Sequence, residues 1–340
     1  MQNEDRLIAK ITRTVPSVQG SAGLAGLRIG IGHDAAVGSP RPGHEWALHS
    51  DAFLDGVHFR RQSYPADSVG YKSLMRATSD LAATGATPRF FLLTLALSPR
   101  CTPKWLGGFL RGMARGARLA GIRLAGGDTT RSDRTAISVT VIGEVRRGLA
   151  LTRRGARPGD TICVSGRLGR AALGLELMNR LGKASRPLRH PELARLLKPH
   201  LYPKIRLELG AWLAENRLAS AMMDLSDGLS TDLHRLCKAS RVGARLSAGR
   251  IPCVEIPAGV ARLLGGRRLD PLQLALHGGD DYELLFTVPR RKLKQLQRAP
   301  GFSGIAAIGE IERASQVALV GAGGRARPLQ PGGWDPFRPK

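Results

Sequence analysis

No stretch of this chain is apolar for long enough to cross a bilayer. The most apolar run, FFLLTLAL from Phe90 to Leu97, falls far short of the roughly 20 residues a membrane helix requires. The start, MQNEDRLIAK, has acids and no apolar core leading to a small-residue cleavage site, which argues against a signal peptide. The expectation is a cytoplasmic protein with no membrane partner. Cysteine is scarce: Cys101, Cys163, Cys237 and Cys253 are far apart and form no C-x-x-C pair. That excludes the usual zinc and redox motifs and predicts four buried, reduced thiols. There is no internal repeat, and the 42 glycines and 21 prolines follow no G-X-Y period, so they mark turns and close backbone approaches.

Acidic residues are outnumbered, 27 against 52 Lys and Arg, for a formal net charge of +25. Such a balance suits a polyanionic partner. The basic residues come in short scattered groups, however, EVRRG, LTRRGARPGD, GGRRLD and PRRKLK, with neither a dense arm nor interleaved aromatics. This favours a solvated basic surface over a dedicated nucleic-acid site.

The 340 residues suffice for about two domains, with 42% hydrophobic residues to fill their cores. In the first half, LRIGIG is strand-like, and EWALHSDAF alternates with period two, placing His49, Asp51 and Phe53 on one face and Ser50 on the other. DSVGYKSLMRATSDLAATG reads as a helix with Asp67 as N-cap and Gly85 as its stop. A buried strand RFFLLTLALS follows, then a helix PKWLGGFLRGMARGARLAG ended by Gly121. IRLAGGD is a strand entering a glycine turn, and TAISVTVIGEV another strand. A second unit begins where PGD precedes the strand TICV and GRLG leads into the helical RAALGLELMNRL. The boundary is placed at residue 148, giving domains 1–148 and 149–340 of an α/β (α+β) protein. The segment from 182 to 204, rich in proline and basic residues, is expected to wrap the surface.

GIGHDA matches a dinucleotide fingerprint, but AVGSPRPGHE after it cannot form the required helix. A phosphate-binding G-x-x-x-x-G-K-[ST] loop and the protein-kinase signatures are also missing. What remains is a series of aspartates at element ends: Asp34, Asp51, Asp80, Asp128, and Asp224 with Asp227 in MMDLSDGLSTDL. Asp34 and Asp128 could serve turns, and Asp227 could cap a helix. Asp80 is harder to explain locally, because it sits near the negative C-terminal end of its helix, with Arg76 one turn earlier as the structural alternative partner. If the carboxylates converge, their repulsion calls for cations, and oxygen-rich ligation suits Mg²⁺ with phosphates. The glycines of LAGGD would let a phosphate chain approach the backbone.

Eight ordered motifs, GIGHDAAV, SDAFLDGVHF, YKSLMRATSDLAATGA, GGDTTRS, LTRRGARPGDTICVSG, MMDLSDGLSTDL, GGDDYELLFTVP and GGWDPF, together resemble the thiamine-monophosphate kinase family over nearly the whole chain. That family lies within the aminoimidazole ribonucleotide synthetase-like superfamily. The resemblance implies ATP-dependent phosphorylation of thiamine phosphate by direct in-line transfer. It also implies a two-domain fold whose N-terminal strands form a barrel across a homodimer. Carried over, Asp34, Ser50, Asp51, Asp80, Asp128, Asp224 and Asp227 are the expected Mg²⁺ ligands for several ions, joined by His49 where the family has a hydroxyl residue. Asp51, Asp128 and Asp227 are the expected catalytic acids. Gly127, Asp128, Arg153 and Ser226 would contact ATP; His58, Asp280 and Trp334 would contact thiamine phosphate. Asp232 is expected to be structural. The chain departs from the pattern at His33, at His49, and at Asp280, where the family has glutamate.

Overall fold

The computed structural model describes residues 4–19, 26–182, 188, 190–264, 266–298 and 301–337. It divides into two units. One runs to Leu81 and then over Ala86–Gly148; the other takes Ala82–Gly85, Leu149–Gly182 and the described chain beyond residue 187.

The first unit contains α1 (Glu4–Thr14), β1 (Leu27–Ile29), β2 (Val37–Gly38), β3 (His44–Leu54), α2 (Ala66–Thr84, whose last residues count with the other unit), β4 (Thr87–Leu97), α3 (Pro103–Ala120), β5 (Arg123–Arg131) and β6 (Ala136–Arg146). The four long strands form an open sheet in the order β3-β6-β4-β5, with only β4 and β5 parallel. The period-two reading of β3 holds: Phe53 is buried and His49 and Asp51 are half-buried, while Leu48, Ser50 and Ala52 are exposed. α3 begins where Thr102 accepts from the Trp105 amide with Pro103 behind it, and ends at Gly121 with φ 64°. α2 starts at Ala66, so Asp67 lies in its first turn, where it favours the dipole, and is not the N-cap.

The glycine turn expected after IRLAG does not form. β5 continues through Gly126, Gly127 and Asp128 because β4 offers a parallel partner as far as the Leu97–Arg131 pair. Gly127 sits at φ 152°, and a Cβ there would lie 1.9 Å from the Leu93 carbonyl oxygen. Two other glycines bring α2 and α3 into backbone contact. A Cβ at Gly112 would lie 1.8 Å from the Asp67 oxygen, and one at Gly70 would lie 1.9 Å from the Phe109 oxygen.

The second unit contains β7 (Thr161–Val164), α4 (Arg170–Leu181), α5 (Pro191–Leu201), α6 (Leu207–Glu215), β8 (Ala221–Asp224), α7 (Leu229–Ser240), β9 (Gly243–Ser247), α8 (Val260–Leu263), α9 (Pro271–His277), β10 (Leu284–Val288), α10 (Leu293–Gln297), β11 (Ala306–Glu312), β12 (Val317–Val320) and β13 (Ala326–Pro328). Its seven-stranded mixed sheet has the order β13-β12-β9-β11-β7-β10-β8. Alternate residues feed two cores. Ile162, Val164, Met223 and Leu285 meet Leu229, Leu233 and Leu236 of α7. Cys163, Met222, Leu284 and Phe286 meet Leu209 and Leu213 of α6. β8 is the last strand, and its outer edge is partly covered. The Met222 amide donates to the Thr152 oxygen, and Gly155 packs where a Cβ would lie 2.3 Å from the Ser220 oxygen.

Two expectations change here. Within 182–204, residues 183–187 and 189 lie outside the described ones, and most of the rest is helix α5, with Leu197, His200 and Leu201 buried. Pro191 opens this helix, where a missing amide costs nothing. All four cysteines are free, but only Cys163 and Cys237 are buried, their thiols pushed up to about 12 by burial; Cys101 and Cys253 are half-buried.

Candidate active site

In the first unit, β3 presents His49 and Asp51 to the face of α2 that carries Arg76 and Asp80, one turn apart. Arg76 turns to the strand and not along its own helix: its Nε donates to Asp51 Oδ2 at 2.8 Å and its Nη2 to Oδ1 at 3.4 Å. The same guanidinium lies 5.3 Å from the Phe53 ring centre. Burial pushes the Asp51 carboxyl up, but hydrogen bonding to His49 and the Arg76 charge together outweigh it and hold Asp51 below its ordinary value. His49 Nε2 lies 3.1 Å from Asp80 Oδ2 and 3.9 Å from Asp51 Oδ1. One ligand atom from each of His49, Asp51 and Asp80 falls within 4.8 Å of the others. Arg76 already supplies one positive charge to Asp51, and a cation seated among the three ligand atoms would supply a second to the pair of carboxylates. Asp51 and Asp80 are hard oxygen donors that fit Mg²⁺, while the imidazole widens the fit toward transition metals.

The other expected ligands of this unit do not join the trio. Ser50 is on the opposite face of β3, its Oγ 2.9 Å from Thr140 Oγ1. Asp34, between β1 and β2, and Asp128, on β5, are both exposed. His58 follows β3; its Nδ1 accepts the Leu54 amide at 3.1 Å, and its ring centre is 5.7 Å from that of Phe53.

In the second unit the acids gather on the loop from β8 to α7. Asp224 is buried at the end of β8. Asp227 does not cap α7, which starts from Gly228 at φ 108° without a side-chain cap. Asp232 reaches back instead, its Oδ2 accepting the amides of Asp227 at 3.0 Å and Gly228 at 3.1 Å. Asp232 is therefore structural, as expected. Burial, then the Asp227 charge, pushes it up to about 7 despite the amide of Asp227 and the charge of Arg235. Arg235 Nη1 donates both to Asp227 Oδ2 and, at 2.8 Å, to Asp232 Oδ1.

Against this loop lies the segment carrying Asp280, whose amide donates to the Ser226 oxygen at 2.8 Å. Asp280 and Tyr282 have φ of 67° and 51°, a left-handed backbone that side chains with a Cβ adopt at a cost of order ~1–3 kcal/mol and that recurs at functional sites. The Tyr282 hydroxyl donates to Asp280 Oδ1 at 2.7 Å, and His200 Nδ1 is 3.7 Å from Oδ2. The C-terminal strap lies over the start of α7: the amides of Gly332, Gly333 and Trp334 donate to Ser230 Oγ, Thr231 Oγ1 and the Asp227 oxygen. A Cβ at Gly333 would lie 1.8 Å from that Asp227 oxygen, so the strap is close enough to require glycine. The Trp334 side is left half exposed, at 47%. Arg153 is exposed, and its carbonyl accepts from Ser240 Oγ at 2.9 Å.

Sequence reasoning did not assign Arg235, His200 or Tyr282. Arg235 had a local signal, three residues after Asp232 on one helix face. His200 meets Asp280 across 80 positions of chain, and nothing local announces that contact.

The family models for AIR synthase related proteins match this chain, the N-terminal domain at residues 32–145 and the C-terminal domain at 157–321. Thiamine-monophosphate kinase of Escherichia coli (strain K12) is 37% identical over 283 residues, which is 82% of each chain. The crystal structure of thiamine-monophosphate kinase from Stenotrophomonas maltophilia K279a is 35% identical, with a TM-score of 0.78, over 93% of this chain and 96% of that one. The structure of AaThiL complexed with AMPPCP and TMP is 29% identical, with a TM-score of 0.74, over 97% and 96%.

Proposed function

The chain belongs to the thiamine-monophosphate kinase family of AIR synthase related proteins, and we infer that it transfers the terminal phosphoryl group of ATP to thiamine phosphate, giving thiamine diphosphate and ADP. The observation that carries this reading is the likeness to named kinases over most of the chain, one of them solved with an ATP analogue and TMP.

In the in-line reaction a phosphate oxygen of thiamine phosphate forms a bond to the γ-phosphorus while the bond to the β–γ bridging oxygen breaks and ADP leaves. Positioning and charge compensation dominate such a transfer. Mg²⁺, when bound, neutralises the phosphate oxygens and the charge that develops on the leaving oxygen. In the first unit, Asp51 and Asp80 with His49 are the residues to hold it, and Asp34, Asp128 and the main chain at Ser50 are further oxygen donors. In the second unit that task falls to Asp224 and Asp227. Asp51, Asp128 and Asp227 carry the largest share of the catalytic effect. Hydrogen bonding to His49 and the Arg76 charge hold Asp51 in its ionised form, and Arg235 donates to Asp227 Oδ2, fixing where that carboxylate points.

Gly127 and Asp128 on β5, with Arg153 and Ser226, are assigned to the nucleotide. His58, Asp280 and Trp334 are assigned to thiamine phosphate. Asp280 suits the cationic thiazolium or the aminopyrimidine, and the half-exposed indole of Trp334 suits stacking on either ring. The protein acts as a homodimer paired through the outer face of the β3-β6-β4-β5 sheet, where Leu48 is 67% exposed beside Ser50 and Ala52. No described helix is long and apolar enough to cross a membrane.

The test is a product assay with thiamine phosphate, ATP and Mg²⁺. Thiamine diphosphate and ADP should appear in equal amounts, and EDTA should stop both. Thiamine diphosphate made from free thiamine and not from the monophosphate would refute the assignment.

A further inference from the structure

A cavity of about 290 Å³ opens in the second unit between the start of α4, the outer side of α5 and the 202–206 segment. Six cationic side chains line it: Arg167, Arg170, Arg195, Lys198, Lys204 and Arg206. The two acids in its wall are already engaged. Glu283 takes a two-pronged bond from Arg206, at 2.6 and 2.7 Å, together with the Ser165 hydroxyl. Asp281 is half-buried against the start of α4, accepting the amides of Gly169 at 2.5 Å and Ala171 at 3.0 Å. Arg167 is bound to Glu255 at 2.9 Å. Among the described residues, that leaves Arg170, Arg195, Lys198 and Lys204 with no carboxylate partner around one concavity. Four like charges held together repel one another unless an anion joins them. Tyr202 and Pro199 supply an apolar wall beside them.

We propose that this pocket is a second ligand site, separate from the carboxylates assigned to catalysis, that takes a small diphosphate-bearing anion. The volume is near the lower limit for small-molecule sites and fits a diphosphate with at most a compact organic group. Guanidinium groups are the side chains suited to holding phosphate oxygens in pairs. Asp281 already accepts the Gly169 and Ala171 amides at the start of α4, so recognition rests on the side chains of Arg170, Arg195, Lys198 and Lys204.

The experiment is calorimetric titration of the full chain in EDTA with inorganic pyrophosphate, ADP and thiamine diphosphate in separate arms. Without divalent metal the catalytic carboxylates repel these anions, so binding does not depend on the kinase assignment. Arg170→Gln/Arg195→Gln should weaken binding by about tenfold or more, since two charge-assisted contacts are lost. Lys198→Gln/Lys204→Gln should weaken it as well, which guards against misfolding of either variant. Arg325→Gln/Arg327→Gln removes the same charge from exposed positions elsewhere and should change affinity by less than about twofold. Equal affinity in the three arms identifies the ligand by its phosphates alone, and preference for one organic diphosphate identifies the group lying on Tyr202; both support the site. Equal losses in the pocket and control variants, or no loss in either pocket variant, would overturn it.

Discussion

Arg76 and Arg235 each hold a carboxylate that the proposed chemistry assigns to metal, so the metal-free fold carries its own counter-charges. Arg235 is shared with Asp232, which makes Asp227 dispensable for the loop's hydrogen bonding. Asp227→Asn should therefore lower kcat by about 100-fold or more, the scale of losing one electrostatic stabiliser. The melting temperature should stay within about 1.5 °C, roughly 1 kcal/mol for a protein of this size. Steady-state kinetics beside a thermal melt checks both. Trp334→Ala should raise KM for thiamine phosphate about 5- to 30-fold, as expected for a desolvated cation over an indole. KM for ATP should stay near wild type; an equal rise in both would assign the indole to anchoring the strap. A third residue gives a pH dependence. Burial, and then the charges of Glu283 and Asp280, push Asp281 up to about 7, against the amides of Ala171 and Gly169. The folded chain therefore keeps a proton there that the unfolded chain has already released, and stability falls as pH rises from the ordinary aspartate range to about 7. Asp232 adds the same slope, so Asp281→Asn should reduce the fall in melting temperature between about pH 5 and about pH 8 without abolishing it. Parallel wild-type and variant melts across that range read the difference.

Among the elements, α3 is legible in its span and its glycine stop because these signals are local; the Thr102 cap is added by the structure. β5 was misread because Gly126 and Gly127 signal a turn in isolation, while the partner that extends the strand comes from β4, far away in sequence. α5 is not assigned from the sequence, because prolines are breakers, although at Pro191 the ring suits a first turn. Asp51 and Asp80 of the candidate trio stand out by residue type, since a carboxylate among apolar neighbours is conspicuous in one dimension. The partners of such acids do not, because Arg76 to Asp51 and His200 to Asp280 are contacts made by folding. The α2–α3 contact permits a sharp test at this scale. Gly112→Ala should destabilise by roughly 3 kcal/mol, since its methyl group meets backbone at 1.8 Å and only a helix shift can relieve it. Gly107→Ala, five residues earlier on the same helix, meets only the end of Arg111 at 3.4 Å and should be neutral or stabilising by up to about 1 kcal/mol. Denaturant titration of the two variants measures the contrast.

For the molecule as a whole, a formal charge of +25 favours solubility but opposes self-association, so the proposed dimer must rest on apolar contact. Sedimentation at moderate salt should give about twice the 36.5 kDa of the chain. Leu48→Lys/Ala52→Lys should shift it to monomer; a wild-type chain that sediments as a monomer at every concentration would remove the dimer. Another property of the molecule in solution follows from the cover on β8. A terminal strand with bare amides is a template on which a second chain can add a strand, the first step toward fibrillar aggregation. Here the guard is the 152–155 stretch, which also carries Arg153, the residue assigned to the nucleotide. Under the nucleotide role proposed for Arg153, nucleotide binding and protection from strand addition share one short piece of chain. A substitution that unseats it, such as a bulky side chain at Gly155, would trade a catalytic defect for a colloidal one: a kinase that still folds but precipitates on storage, and does so more slowly when ATP is present.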